Sequence, residues 1–459
     1  MKNTNIISNI LSYAFISLAF PLATASLSAQ GVSTVDYYLR GNSGYTPLTQ
    51  ENSLQYWSLT RDEYTAPESL PGADAMVIID RVNTNGSSTL TFARGDFHKP
   101  TTYYAIRATV NTELNMTAQL SLVGDFTINA RSEYSSADPN IKQLRLVSQT
   151  ADFLTVGGDM ILSTDKYFTT RFSLYRSASM KVGGALQFDW NGSLSDTGYH
   201  AFDMSDANKN STGTLFTINL GGLVSNNRAV YMTSTHSLTS NFVFSNDSSG
   251  AFKGGSFEGV FATQDSVSST ANFLMNGSGR QSITIYKAAN AAAHGIAVIE
   301  GRNNMTIGEV SVSSGELIFN SELAVNSVLL DGGSLKLTAS EGVGDFTINA
   351  GSLVYGGPLK VGNLTVAAVD EIKIVFSAED LASQYLVIMD YGYLTDAFDP
   401  DAIFVAYDES GNRLGGTFAL EEFSGGSGSL IYTVPEPAAY AAIFAMAAVA
   451  AVLARRKRK

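Results

Sequence analysis

Histidine can exchange protons near neutral pH, and this chain has four of them: His98, His200, His236 and His294. No two stand four residues apart and none has metal-ligand spacing, so the pattern points to exposed loop or strand-face residues and not to ligands. Gly277-Ser278-Gly279 places a serine between glycines, but in a polar turn without the strand-to-helix context of a nucleophile elbow. No Gly-x-x-x-x-Gly-Lys-Ser/Thr phosphate loop occurs. That leaves carboxylates. Asp159, Asp189 and Asp203, with Lys166 and Arg171 not far away, could serve a polysaccharide lyase or hydrolase, whose chemistry needs clustered acids with a base or calcium. Neither a period nor a motif brings them together. Asp399, Asp401 and Asp408 could attract calcium but lack the Asp-x-Asp-x-Asp-Gly loop, so a solvated acidic turn is expected. The expectation is no catalytic residue, no metal ligand and no cofactor.

The elements that would have to position such groups are strands. Only 15% of residues are charged, and the polar remainder is rich in Ser, Thr, Asn and 41 Gly, which suits strands and turns better than surface helices. Cysteine is absent, so neither a disulfide framework nor a thiolate metal site is available, and redox chemistry gives no compartment. Setting aside Lys2, Glu436 and the five terminal bases leaves 23 bases against 41 acids, a body charge of -18. A phosphate-tracking surface needs a basic stripe, so nucleic acid is not an expected partner.

One segment repeats countably. Gly-x-Leu occurs at Gly315-Glu316-Leu317, Gly333-Ser334-Leu335 and Gly351-Ser352-Leu353, each 18 residues after the last. The same step relates Val310 and Val312, Val328 and Leu330, Phe346 and Ile348, then Leu364 and Val366. It also relates Leu317 and Phe319, Leu335 and Leu337, then Leu353 and Tyr355. Apolar residues at spacing two share one face of a strand, and Gly marks the corners. Such a unit cannot bury its own apolar face, so stacking at the roughly 4.8 Å strand spacing is the natural solution. The octapeptide Val123 to Ala130 recurs unchanged at Val343 to Ala350. Apolar-Gly fragments at Val156-Gly157-Gly158, Val182-Gly183-Gly184 and Leu220-Gly221-Gly222 are unevenly spaced, which predicts longer, less regular repeats from about 107 to 300. No proline lies between Pro139 and Pro358, as an internal ladder requires. Strands are also expected at Glu371 to Phe376, Tyr385 to Met389, Ile403 to Tyr407, Gly416 to Leu420 and Ser429 to Val434, forming a terminal cap, with Ser424 to Ser429 as possible linker.

The ends read as address labels. Lys2, the apolar stretch Ile10 to Leu22 and Ala23-Thr24-Ala25 make residues 1–25 a signal peptide. At the other end Val434-Pro435-Glu436-Pro437 precedes an apolar run from Ala438 to Ala454, followed by Arg455, Arg456, Lys457, Arg458 and Lys459. Seventeen helical residues rise about 26 Å, enough to span a membrane if the flanks snorkel, and the bases favour a cytoplasmic terminus. The order of motif, helix and basic stop resembles the PEP-CTERM sorting signal. That resemblance implies recognition of Pro435, Glu436 and Pro437 by an exosortase-type membrane protease, transient inner-membrane insertion and passage to the surface. Trp57 followed by Leu70-Pro71-Gly72-Ala73-Asp74-Ala75-Met76-Val77-Ile78-Ile79-Asp80 resembles the opening cap of autotransporter-like β-strand repeat proteins, a likeness covering about 31 to 90 and 305 to 366.

The fold expected is all-β: a parallel β-helix (β-solenoid), right-handed, with a C-terminal β cap and a single C-terminal transmembrane helix. Its parts are residues 1–25 as signal peptide, 26–106 as N-terminal cap, 107–369 as solenoid with regular repeats at about 305–366, 370–433 as C-terminal cap and linker, and 434–459 as sorting signal. The function expected is an exported structural or adhesive protein of the cell surface, outer envelope or extracellular matrix. Its partners would be signal peptidase, an exosortase-type protease and extracellular polysaccharide. The alternative is a carbohydrate-active β-helix enzyme.

Overall fold

The computed structural model describes residues 34–39, 51–80, 90–92, 101–110, 113–116, 119–130, 142–148, 152–165, 168–174, 177–192, 198–206, 214–246, 251–265, 267–296, 299, 301–368, 370–423 and 426–434. The signal peptide, Lys166, His98, the Pro435-Glu436-Pro437 motif, the expected membrane helix and the basic stop lie outside them. Among the described residues no helix is long and apolar enough to cross a membrane.

The chain is all-β, and most pairing is parallel between strands that are not consecutive. Phe126–Ala130 bonds to Met160–Thr164, which bonds to the second half of Ala178–Trp190, which bonds to the second half of Thr214–Asn226. Three such ladders can be followed. The first runs from Leu90–Phe92 through Lys142–Ser148 and His200–Asp206 to the end of Gly255–Gln264. The second runs from Thr101–Tyr103 to Tyr385–Leu394. The third starts at Val35–Leu39 and, after Thr214–Asn226, resumes through Arg280–Tyr286 to Phe404–Asp408. This long, mostly parallel sheet is compatible with a β-solenoid.

The change in repeat length has a structural cause. Strand Arg302–Asn304 lies antiparallel on Gly255–Gln264 and closes the first ladder. Before that point successive partners are up to 37 residues apart, as Leu186 and Leu223 are. After it only two ladders continue, and the step falls to 18 residues, pairing Val310 with Val328, Phe346 and Leu364, and Leu317 with Leu335 and Leu353. The expected registers are therefore the observed ones, and the regular repeat is the two-ladder part of the sheet.

Alternation decides which side is buried. Inward residues form one continuous core from Tyr37 to Tyr432. Like residues stack within it: the rings of Phe242 and Phe273 lie 5.3 Å apart and nearly coplanar, and Phe172 lies 4.5 Å from Phe202. Glycine allows the neighbouring strands to approach at the corners. A Cβ on Gly344 would stand 2.4 Å from the Asn326 carbonyl oxygen, and one on Gly362 would stand 2.6 Å from that of Gly344. Gly344→Ala is therefore expected to cost about 1–3 kcal/mol, the price of overpacking a close backbone contact, read as a lower urea midpoint.

Parallel pairing extends beyond residues 107–369 on both sides, since Val35 already pairs with Ala75 and Ile372 with Phe404. Antiparallel strands close the ends. Trp57 is fully buried, pairs with Leu39 and meets Tyr37 edge-on at 6.3 Å. At the other end Gly428–Thr433 is paired on both sides, with Tyr385–Leu394 and Thr417–Glu422. Residues 426–434 are thus a turn and a central strand, not a linker. A second small core forms where the turn Ala288–His294 and Ile296 cover Ala201, Tyr231, Val260 and Ala262 on the outer side of the first ladder. Arg228 holds that segment, donating to the Gly295 carbonyl at 2.8 Å while lying 4.3 Å over the Trp190 ring.

Candidate functional site

The three acids that could have formed a catalytic cluster are used separately, each between neighbouring strands. Asp203 sits opposite Arg171 in the ladder register; the Arg171 Nε donates to it at 2.8 Å and Thr233 donates at 3.4 Å. Asp189 lies in the row Ser163, Asp189, Asn226, accepting from Ser163 at 3.3 Å and Asn226 at 2.7 Å, and from Gln187 at 2.8 Å. Asp159 occupies a glycine corner, where it accepts from the Ala185 amide at 2.8 Å and the Lys253 ammonium at 2.6 Å. Parallel stacking repeats a position about every 4.8 Å, close enough for side-chain bonds from strand to strand.

The acids near residue 400 also have local partners. Asp399 caps the turn Pro400–Ile403, Asp401 accepts from the Phe418 amide, and Asp408 accepts from the backbone and side chain of Asn412. The Asn412 bonds hold the Asp408 carboxyl below its usual pKa. No group of three or more potential metal ligands converges among the described residues. Gly277 and Gly279 have a packing role: a Cβ on either would meet the Phe252 ring at 2.6 or 2.3 Å, and Ser278 bonds to Asn246.

The expectation of exposed histidines fails at His200. It points inward from strand His200–Asp206 and is only 3% exposed, packed edge-on against Phe168 at 5.3 Å and Phe188 at 4.9 Å. Neither ring nitrogen has a hydrogen-bond partner, and burial pushes the imidazole pKa down to about 3. The strand alternation that buries Phe202 and Met204 also buries His200, a signal present in the sequence and outweighed by residue type. His236 and His294 are partly exposed. His294 stacks on Tyr286 at 3.5 Å and lies 3.4 Å from Glu322. Burial tends to raise the Glu322 pKa, but the Lys287 amide and the Asn290 side chain hold it below the ordinary value.

The feature with the greatest extent is the outer face of the second ladder. One row of outward residues can be followed in register from Ser121 through Thr155, Lys181 and Asn219 to Thr347 and Thr365. A parallel row includes Thr217, Asn241, Asn272, Asp345, Asn363 and Tyr393. Ten register steps at about 4.8 Å make this face about 48 Å long. Short bonds order its C-terminal part: Asn363 donates to Asp345 at 2.7 Å, and the Thr365 and Thr395 hydroxyls lie 2.9 Å apart. Tyr393 is 54% exposed. Beside the rows an open groove of about 780 Å³ follows the corner, with Gly344, Gly362 and Gly392 along it and Lys360 and Asp390 on one side.

Comparisons with protein-family models, with curated proteins and with solved structures yield no match.

Proposed function

We propose that the chain is an exported, non-enzymatic structural and adhesive protein of the cell surface or extracellular matrix. In this reading residues 1–25 direct export and Val434 to Lys459 form a PEP-CTERM signal, processed by an exosortase-type protease after transient anchoring in the inner membrane. The body is a parallel β-helix, right-handed because parallel strands joined by a crossover adopt that hand in about 98% of cases. The observation that carries the reading is the outer face of the second ladder, where uncharged hydroxyl and amide side chains predominate over a length of about 48 Å. Such a surface presents many weak, repeated contacts, which suits adhesion to a polymer better than turnover of a small substrate.

The sorting part has its own test. Cells carrying the sorting enzyme are fractionated after expressing the full chain or a chain lacking Val434 to Lys459. The full chain is expected in the outer envelope or medium with its tail removed, and the truncated one is expected to stay soluble in the periplasm. Identical distributions would remove the signal assignment.

A further inference from the structure

We infer that the outer face of the second ladder is a docking surface for a neutral, hydroxyl-rich polysaccharide, with Tyr393 as the aromatic contact at its C-terminal end. This rests on the adhesive reading and narrows it to one face and one ligand class. The chemistry of the two rows supports it. Ser and Thr hydroxyls both donate and accept, and Asn amides do the same, which matches the mixed donor and acceptor character of sugar hydroxyls. The grid repeats about every 4.8 Å on a surface without protruding turns, so an extended chain can meet several equivalent positions at once.

Charge selects the class of polymer. The body outside the two terminal labels carries -18, and residues 370–434 hold 12 acids against two bases, so the face ends in an acidic region. An anionic polymer would be repelled by that field, whereas a neutral one would not. Within the rows charge is sparse: Lys181 and Asp345 are separated by most of the face, and Asp345 is engaged by Asn363. The Asn363 and Thr365 side chains are already held by their neighbours, so less rotamer entropy is lost on binding. Tyr393 stands beside Asn363 in register and offers an exposed ring for the apolar side of a sugar.

The test is co-sedimentation of the full chain, kept in mild detergent at about 0.15 M salt, with insoluble cellulose and chitin as neutral polymers and calcium alginate beads as the anionic one. The inference expects retention on a neutral polymer and none on alginate. Tyr393→Ala should weaken binding about threefold to tenfold, the worth of one aromatic contact. Thr347→Arg with Thr365→Arg should abolish it. Asn320→Arg with Thr338→Arg, on the outer side of the third ladder, should leave it unchanged. Circular dichroism confirms that each variant is folded. If both double variants bind as the parent does, or if alginate is bound more tightly than cellulose and chitin, this face assignment is overturned while adhesion stands. Absence of retention on all three polymers overturns the assignment and the adhesive reading together.

Discussion

Lowering the pH from 7 to 4 is expected to remove about 3 kcal/mol of stability through His200 alone, because its imidazole must stay neutral in the fold. In the unfolded chain His200 takes up a proton below its ordinary pKa of about 6.5, while in the folded chain it resists protonation down to about 3. The unfolded state therefore binds more protons between those values. The stability is fully present above pH 6.5 and is lost as pH falls toward 3. The residues facing the ring from neighbouring strands, Phe168, Thr170, Phe172 and Phe188, do not titrate in this range, and no acceptor among the described residues could rescue a buried cation. The measurement is the urea midpoint at pH 7, 5.5 and 4 for the parent and for His200→Leu. The variant should lose this component while keeping the acid sensitivity of the carboxylates. Equal losses in the two proteins would show that His200 does not control the effect.

Replacing Gln281 with Leu should cost about 2–5 kcal/mol, since it leaves two backbone groups unsatisfied in the core. The third ladder is interrupted between Thr214–Asn226 and Arg280–Tyr286, and the Gln281 side chain completes the bonding there. Its Oε1 accepts from the Leu223 amide at 3.0 Å, and its Nε2 donates to the Leu223 carbonyl at 2.8 Å and to the Ser282 carbonyl at 3.0 Å. The residue is completely buried, so water cannot take over those bonds without opening the sheet. Gln281→Glu keeps the size but removes the donor, and it should be at least as damaging because a buried carboxylate would face the Leu223 carbonyl. Hydrogen exchange at the Leu223 amide gives a local readout. It should accelerate on the order of a hundredfold in Gln281→Leu, and unchanged protection would mean that the backbone finds another partner.

Much of the candidate surface could be read before any coordinates, and the reasons are local. Alternation at Thr347 and Thr365 places hydroxyls opposite the buried Phe346 and Leu364, so an outward Thr row follows from the 18-residue step. Its continuation past the irregular repeats could not be read, because the steps from Thr155 to Lys181 and from Lys181 to Asn219 differ in length. Gln281 was likewise hidden, since a polar residue in an alternating strand reads as outward until a broken ladder needs its amide. The separation of Asp159, Asp189 and Asp203 was anticipated, but the pairing of Asp203 with Arg171 was not. It depends on a register between strands 32 residues apart.

The recurring octapeptide separates what is local from what is not. In both copies Phe and Ile point inward and are fully buried, Phe126 and Ile128 in one, Phe346 and Ile348 in the other. Yet the first copy belongs to the third ladder and the second to the second ladder, and Val123 is 57% exposed where Val343 is 5% exposed. The sequence by itself determined that these residues form strands, which side faces the core and where glycine must stand, because side-chain alternation and corner sterics act within a few residues. Only the tertiary structure decided which strands meet, where three ladders become two and which polar groups are buried, because each of these depends on the residue that arrives from another turn of the chain.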